Sequence, residues 1–349
     1  MLVNPSFRTE LKNFLKPCFK LHSNPLFTRV LKIASYTLLT LSGVGLSIKA
    51  YSQYSDRIHR AIKALSSSHN IKAIDSFCQE HPNFASLIRK IEKSVSFQDI
   101  GFRNEINSRL FKIGKDEKGE NKIFIKYPCG KHMFIRQERA KNEQLAFLIS
   151  HRLGLDVVPA TICLKGYKIE IEKILPKSTL SQLKCGFSPE TYKSSYDGVV
   201  VQEALSLKDN QENLDRTSEQ IQKAIIFNLI TGRADAERNN TVITQSGKLM
   251  EIDNEKLGFL KESSSWLLTE FEKTNFSEEV ITSLLSKPTE TITQIFEEME
   301  SFNFPKELQE NIITNFKEVT TFFSLNRDRQ ITVENLITFL KKPSKKNHS

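Results

Sequence analysis

The sequence predicts an α+β fold, and three features carry that expectation. Residues 95–128 alternate apolar and polar side chains in short β-prone runs, and residues 136–153 carry a helical stripe. From Glu262 onward, successive segments repeat apolar residues at helical spacing. A β-rich part is thus followed by a helical part, and a basic, partly hydrophobic helical extension precedes both. The boundaries read from these shifts are 1–94 for the extension, 95–205 for the β-rich part, 206–342 for the helical part and 343–349 for a solvated, disordered tail.

Composition narrows the function classes. The 349 residues are 39% hydrophobic and 26% charged, ordinary for a chain that buries a sizeable core. The five cysteines (Cys18, Cys78, Cys129, Cys163, Cys185) are scattered and form no C-x-x-C pair. This argues against a disulfide framework or a zinc site and for a reducing, intracellular compartment. The net charge of +9 is unevenly placed: residues 1–70 hold ten basic and two acidic side chains, leaving 40 basic against 39 acidic elsewhere. A nucleic-acid enzyme spreads basic surface around its cleft, so no nucleic-acid partner is expected. No G-x-x-x-x-G-K-[ST] run occurs, which disfavours a P-loop nucleotidase.

In the extension, Phe7, Leu11, Phe14, Leu15, Cys18 and Phe19 recur at helical spacing between lysines, with Pro17 interrupting the run. Residues 33–48 carry no charge and are flanked by Lys32 and Lys49. Sixteen residues span only about 24 Å as a helix, against roughly 30 Å of hydrocarbon. Three readings stay open: a single marginal transmembrane or re-entrant segment over 30–48, an interfacial helix drawn to anionic lipid, or a helix buried on the rest of the chain. Membrane association through residues 1–63 is the expectation taken forward. Between 56 and 93, short amphipathic helices are predicted, with Pro82 at a first-turn position.

The β-rich part begins with a strand at 95–97, then Arg109–Ile113 and Lys122–Tyr127 joined by the turn-forming run 115–120. Alternation puts Lys126 on the same face as Phe124 and Lys122, where a snorkelling surface lysine is the plain reading. A helix follows over Arg136–Leu153, with Leu145, Ala146, Ile149 and Leu153 as its stripe and Gly154 as its C-cap. Strands are then predicted after Pro159, over Tyr167–Ile174 and over Gly198–Leu205.

Residues 225–259 hold the densest chemical signal. An apolar helix ends at Gly232; a polar loop carries Asp235 and, five positions on, Asn240; two short β-prone runs then lead to Asp253. Phosphoryl transfer uses such a set, one carboxylate near the attacking hydroxyl and an amide with a second carboxylate for Mg²⁺. The plainer reading is a polar loop and hairpin whose Asp and Asn residues serve only turns.

The D-x-x-x-x-N run followed by I-D-N resembles the catalytic and metal loops of phosphatidylinositol 3- and 4-kinases and their protein-kinase-like relatives. The strand with Lys126, the helix with Glu143 and the run LGLDVVPAT resemble the small lobe of the same family. The resemblance spans about residues 96–260. It implies a two-lobed protein-kinase-like fold, with a β-rich small lobe over 95–205 and a helical large lobe over 206–342. It also implies a role for each matched residue. Asp235 is the catalytic-loop aspartate, and Asn240 and Asp253 are metal ligands. Lys126 contacts the nucleotide phosphates, and Glu143 pairs with it; Glu138 is the competing partner. Gln202, Glu203 and Leu205 sit at the interlobe hinge near the adenine, and Gly101 belongs to a phosphate-covering loop over Ile100–Ser108. Two departures stand out: that loop has a single glycine, and Asp235-Ala236-Glu237 replaces the D-R-H of many members, with Arg238 as the nearby substitute.

The resemblance implies an ATP- and Mg²⁺- (or Mn²⁺-) dependent kinase acting on a phosphoinositide head group at an anionic membrane surface. A protein hydroxyl is the rival acceptor. A catalytically silent kinase-like scaffold and a helical membrane-associated structural protein are readings of other classes.

Overall fold

The computed structural model divides the chain into two compact units, Met1–His69 and Asn70–Ser349. The structure describes residues 72–102, 109–126, 133–167, 175, 199–208, 218–234, 236–258 and 265–341, all in the second unit. The expected membrane-associated run at 30–48, the basic stretch 1–63 and Asp235 lie outside the described residues. Among those described, no helix is long and apolar enough to cross a membrane.

Helix α1 (72–80) leads through a single 3-10 turn, Pro82–Phe84, into α2, Ala85–Lys93. Pro82 stands in the first turn, where its missing N–H costs nothing. The inward stripe of the two helices, Ile74, Phe77, Leu87, Ile88 and Ile91, is buried, as is Phe84 in the turn between them.

Five strands form one sheet: β1 (Ser96–Phe102), β2 (Arg109–Lys115), β3 (Asn121–Lys126), β4 (Thr161–Cys163) and β5 (Val200–Glu203). Their spatial order is β1-β2-β3-β5-β4, and every pair is antiparallel. The β2–β3 turn is closed by Asp116, whose carboxylate accepts from the N–H groups of Lys118 at 2.9 Å and Glu120 at 3.0 Å. Between β3 and β4 the chain forms α3, Met133–Arg152. From Asn142 to Ser150 every residue of α3 is buried, so this helix is an interior element rather than a surface one.

The second half is mainly helical. Helix α4 (Glu219–Thr231) starts at Ser218, whose side chain accepts from the Gln220 N–H at 3.2 Å, and stops at Gly232, left-handed with φ 57. A separate hairpin of β6 (Thr241–Ile243) and β7 (Leu249–Glu251) follows. Then come α5 (Trp266–Glu270), α6 (Glu278–Leu285), α7 (Glu290–Glu298), α8 (Lys306–Leu325) and α9 (Val333–Lys341). One apolar core joins side chains from α1 through α9. The result is a mixed fold in which an antiparallel five-stranded sheet precedes a run of helices.

Two expected elements differ. Of the strand foreseen over Tyr167–Ile174 only Tyr167 is described, and it ends a 3-10 turn, Leu164–Tyr167; residues 168–174 lie outside the described set. Tyr167 is held there by burial and by a hydrogen bond its hydroxyl accepts from Gln144 Nε2 at 3.1 Å. Strand β1 also runs farther than 95–97, because its pairing with β2 continues to Phe102. Gly101 is therefore a strand residue opposite Leu110, at the strand end next to the expected covering loop rather than within it.

Candidate functional site

Three chain segments meet beside the end of β3. Lys126 is the last residue of that strand, opposite Val200 of β5, and its side chain is 8% exposed. Its ammonium donates to Glu143 Oε1 on α3 at 2.7 Å, and Glu143 has no exposed surface at all. The expected competitor, Glu138, is exposed: five residues along a helix rotate a side chain by about 140°, away from the buried face. Lys126 thus lies buried instead of snorkelling, because α3 offers a carboxylate where the strand ends.

The third segment follows β7. Asp253 Oδ1 lies 3.9 Å from Lys126 Nζ, and the Asp253 backbone is left-handed with φ 61. Glu255, two residues on, is largely buried. Carboxylate oxygens of Glu143, Asp253 and Glu255 all lie within 4.8 Å of one another, a spacing that suits one cation. Helix α3 also grips this segment directly. Asn142 Nδ2 donates to the Glu255 carbonyl at 2.8 Å, and Arg139 Nη1 pairs with Glu255 Oε2 at 3.3 Å.

Asn240 ends the 3-10 turn Arg238–Asn240, and its carbonyl accepts from the Ile252 N–H at 2.8 Å. Asn240 therefore sits beside the residue preceding Asp253. On either side of position 235 the backbone is tied down. The Ala234 N–H donates to the Lys256 carbonyl at 3.3 Å, and the Ala236 carbonyl accepts from the Trp266 N–H at 3.2 Å. Arg238, the expected substitute for the missing Arg-His, holds its guanidinium over the Trp266 ring, 5.5 Å from the ring centroid.

The residues expected at a hinge, Gln202 and Glu203, close strand β5. Gln202 is buried and donates through Nε2 to Thr161 Oγ1 at 3.1 Å, while the Glu203 carboxylate pairs with Lys90 of α2. The N–H groups of Glu203 and Ala204 donate to the carbonyls of Ala160 (2.8 Å) and Lys122 (3.1 Å). Those two N–H groups are thus already engaged, and Leu205, the next residue, is half-buried. From there the chain crosses to the β6–β7 hairpin, where Leu207 pairs with Thr244 and the Lys208 N–H donates to the Ile243 carbonyl at 3.0 Å.

Sequence reasoning missed Arg139, Asn142, Arg233, Glu251 and Glu255. Arg233 and Glu251 form an ion pair with no exposed surface on either side chain. Burial pushes the Glu251 carboxyl's pKa up, and the guanidinium of Arg233 and the hydroxyl of Thr241 pull it back. One signal was available: Glu251 interrupts the apolar run Leu249-Met250-Glu251-Ile252, and Arg233 directly follows the apolar helix that ends at Gly232. Two opposite charges, each set against apolar sequence, invite pairing.

Compared with known proteins, the chain matches no family model and no curated protein.

Proposed function

We propose that this chain is an ATP- and Mg²⁺-dependent phosphotransferase of the phosphatidylinositol-kinase kind, with a two-lobed protein-kinase-like fold, passing the γ-phosphoryl group to a lipid head-group hydroxyl. The observation that carries this reading is the buried Lys126–Glu143 pair at 2.7 Å with Asp253 at 3.9 Å. A strand, a helix and a post-hairpin loop deliver these groups to one point from far apart in the sequence. An ammonium fixed by a buried carboxylate is a positioned point charge, suited to the phosphates of a nucleotide.

The residues present fit a divalent cation. Glu143 Oε2 is buried with no hydrogen-bond partner among the described residues, and it faces two further carboxylates. Hard oxygen donors of this kind suit Mg²⁺ or Mn²⁺, and Asp253 with Asn240 would hold the ion. When bound, such an ion offsets negative charge on the phosphates. The chain's own residues do the rest: Lys126 orients the phosphates, and Asp235 takes the proton of the attacking hydroxyl. The new bond joins the acceptor oxygen to the γ-phosphorus as the bond to the β,γ-bridging oxygen breaks and ADP leaves.

The basic and apolar extension supports a lipid acceptor, and with it an intracellular, membrane-associated location. Labelled γ-phosphate supplied with phosphatidylinositol vesicles and, separately, with protein acceptors tests the reading. Label in the lipid supports it; label only in protein moves the activity to a protein serine/threonine kinase. Intact nucleotide binding with no labelled acceptor identifies a silent scaffold instead.

A further inference from the structure

We propose that Arg233, through its buried ion pair with Glu251, is the positioning residue that holds Asp253 in its left-handed conformation beside Lys126. Arg233 follows the left-handed Gly232 at the end of α4, and Glu251 ends β7, two residues before Asp253. The guanidinium spans the gap between these two loops. Its Nη1 donates to Glu251, and its Nη2 donates to the Ile252 carbonyl at 2.5 Å and the Asp253 carbonyl at 3.4 Å. One planar fork thereby grips three successive residues.

Stability is a poor explanation for this arrangement. Desolvation offsets most of the attraction within a buried ion pair, and apolar side chains of similar volume often serve the fold as well. An apolar pair cannot, however, donate to the carbonyls of Ile252 and Asp253. Those carbonyls flank the φ torsion of Asp253, which at 61° lies in a region that costs a residue with a Cβ about 1–2 kcal/mol. The geometry gives the fork a use: it fixes the strained residue so that its carboxylate lies 3.9 Å from Lys126 Nζ. A lysine at 233 retains a charge but has no rigid fork to bridge three acceptors. The inference rests on the phosphotransferase reading only in the use it assigns to Asp253.

The test compares wild type with the double variant Arg233→Met/Glu251→Met, which removes both charges and leaves no lone buried ion, and with Arg233→Lys. Three quantities are read: the melting temperature, hydrogen exchange of residues 250–256, and Mn²⁺ affinity in the presence of ATP by electron paramagnetic resonance. The expected result is a double variant that melts cooperatively within a few degrees of wild type. Its exchange rises at 250–256 but not in α8, and its Mn²⁺ affinity falls by about 10- to 100-fold, the usual loss when a group orienting a metal ligand is removed. Arg233→Lys shows the same exchange and affinity changes, and it carries the comparison alone if the double variant does not fold. Unchanged exchange at 250–256 overturns the proposal, and so does unchanged Mn²⁺ affinity in a variant whose exchange has risen. A wild type that never binds Mn²⁺ with ATP, while the variants still open at 250–256, retains Arg233 as the residue positioning Asp253 and removes the phosphotransferase reading.

Discussion

The ammonium of Lys126 and the carboxylate of Glu143, on neighbouring elements of strand and helix, meet at 2.7 Å with side chains 8% and 0% exposed. Neither charge has ready access to water, so Glu143 depends on Lys126, and Lys126 on Glu143 and the more distant Asp253. Glu143→Ala leaves the ammonium with only Asp253, at 3.9 Å, and should cost up to about 3 kcal/mol, whereas Lys126→Met/Glu143→Leu should recover most of that loss. Urea unfolding of the three proteins checks this; equal midpoints for the single and double variants would contradict it.

Lys126→Met should lower phosphoryl transfer by about 10²–10³-fold, the usual loss when one preorganised donor to developing charge is removed. Thermal unfolding of the same variant separates the two effects. A folded variant with undiminished turnover would show that Lys126 serves only as a partner for Glu143.

Helix α3 holds the segment after Asp253 by two contacts of unequal weight. Asn142→Ala leaves the Glu255 carbonyl without its 2.8 Å donor in a buried setting and should cost about 1–3 kcal/mol. Arg139→Ala removes a partner that is 28% exposed, but it takes that partner from a Glu255 carboxylate that is only 7% exposed, and should cost more than the Asn142 substitution. Denaturant midpoints measured side by side check the ranking; a smaller loss at Arg139 would reverse it.

Much of this arrangement was legible in the sequence. β-prone runs marked β2, β3 and β5, and an apolar stripe marked α3, but the stripe left Glu143 and Glu138 as competing partners for Lys126, and only the packed helix separates them. The Ser-Gly turn marked the β6–β7 hairpin that ends near Asp253. What periodicity could not supply was long-range pairing. Nothing local to Arg233 says that its fork reaches Ile252 and Asp253, and nothing local to Asn142 says that it meets Glu255. The extent of β1 was missed for a related reason, since Gly101 reads as loop and is strand only because Leu110 pairs with it.

Just beyond α3, Asp156 offers a pH prediction. Its carboxyl sits below the ordinary 3.8, first because it accepts a hydrogen bond from His151, with Lys248 adding to the effect against a burial penalty. A carboxyl with a depressed folded-state pKa stabilises the fold fully above the unfolded value, and that contribution is lost as pH falls through the folded value. Acid unfolding below about pH 3.8 should therefore be shallower in Asp156→Asn than in wild type. Asn tolerates the left-handed backbone that Asp156 adopts at φ 50, so the substitution leaves the turn intact. Superimposable acid limbs would contradict the assignment.

Lys126, Glu143 and Asp253 are proposed to form one phosphoryl-transfer site. That role is tested most directly by ADP formation from Mg²⁺ and ATP with phosphatidylinositol vesicles, comparing wild type with Asp253→Asn. Lipid-dependent ADP formation is expected in wild type, with its loss in a variant that melts normally. Turnover that persists undiminished in Asp253→Asn, or a wild type that neither binds nor consumes ATP, would contradict it.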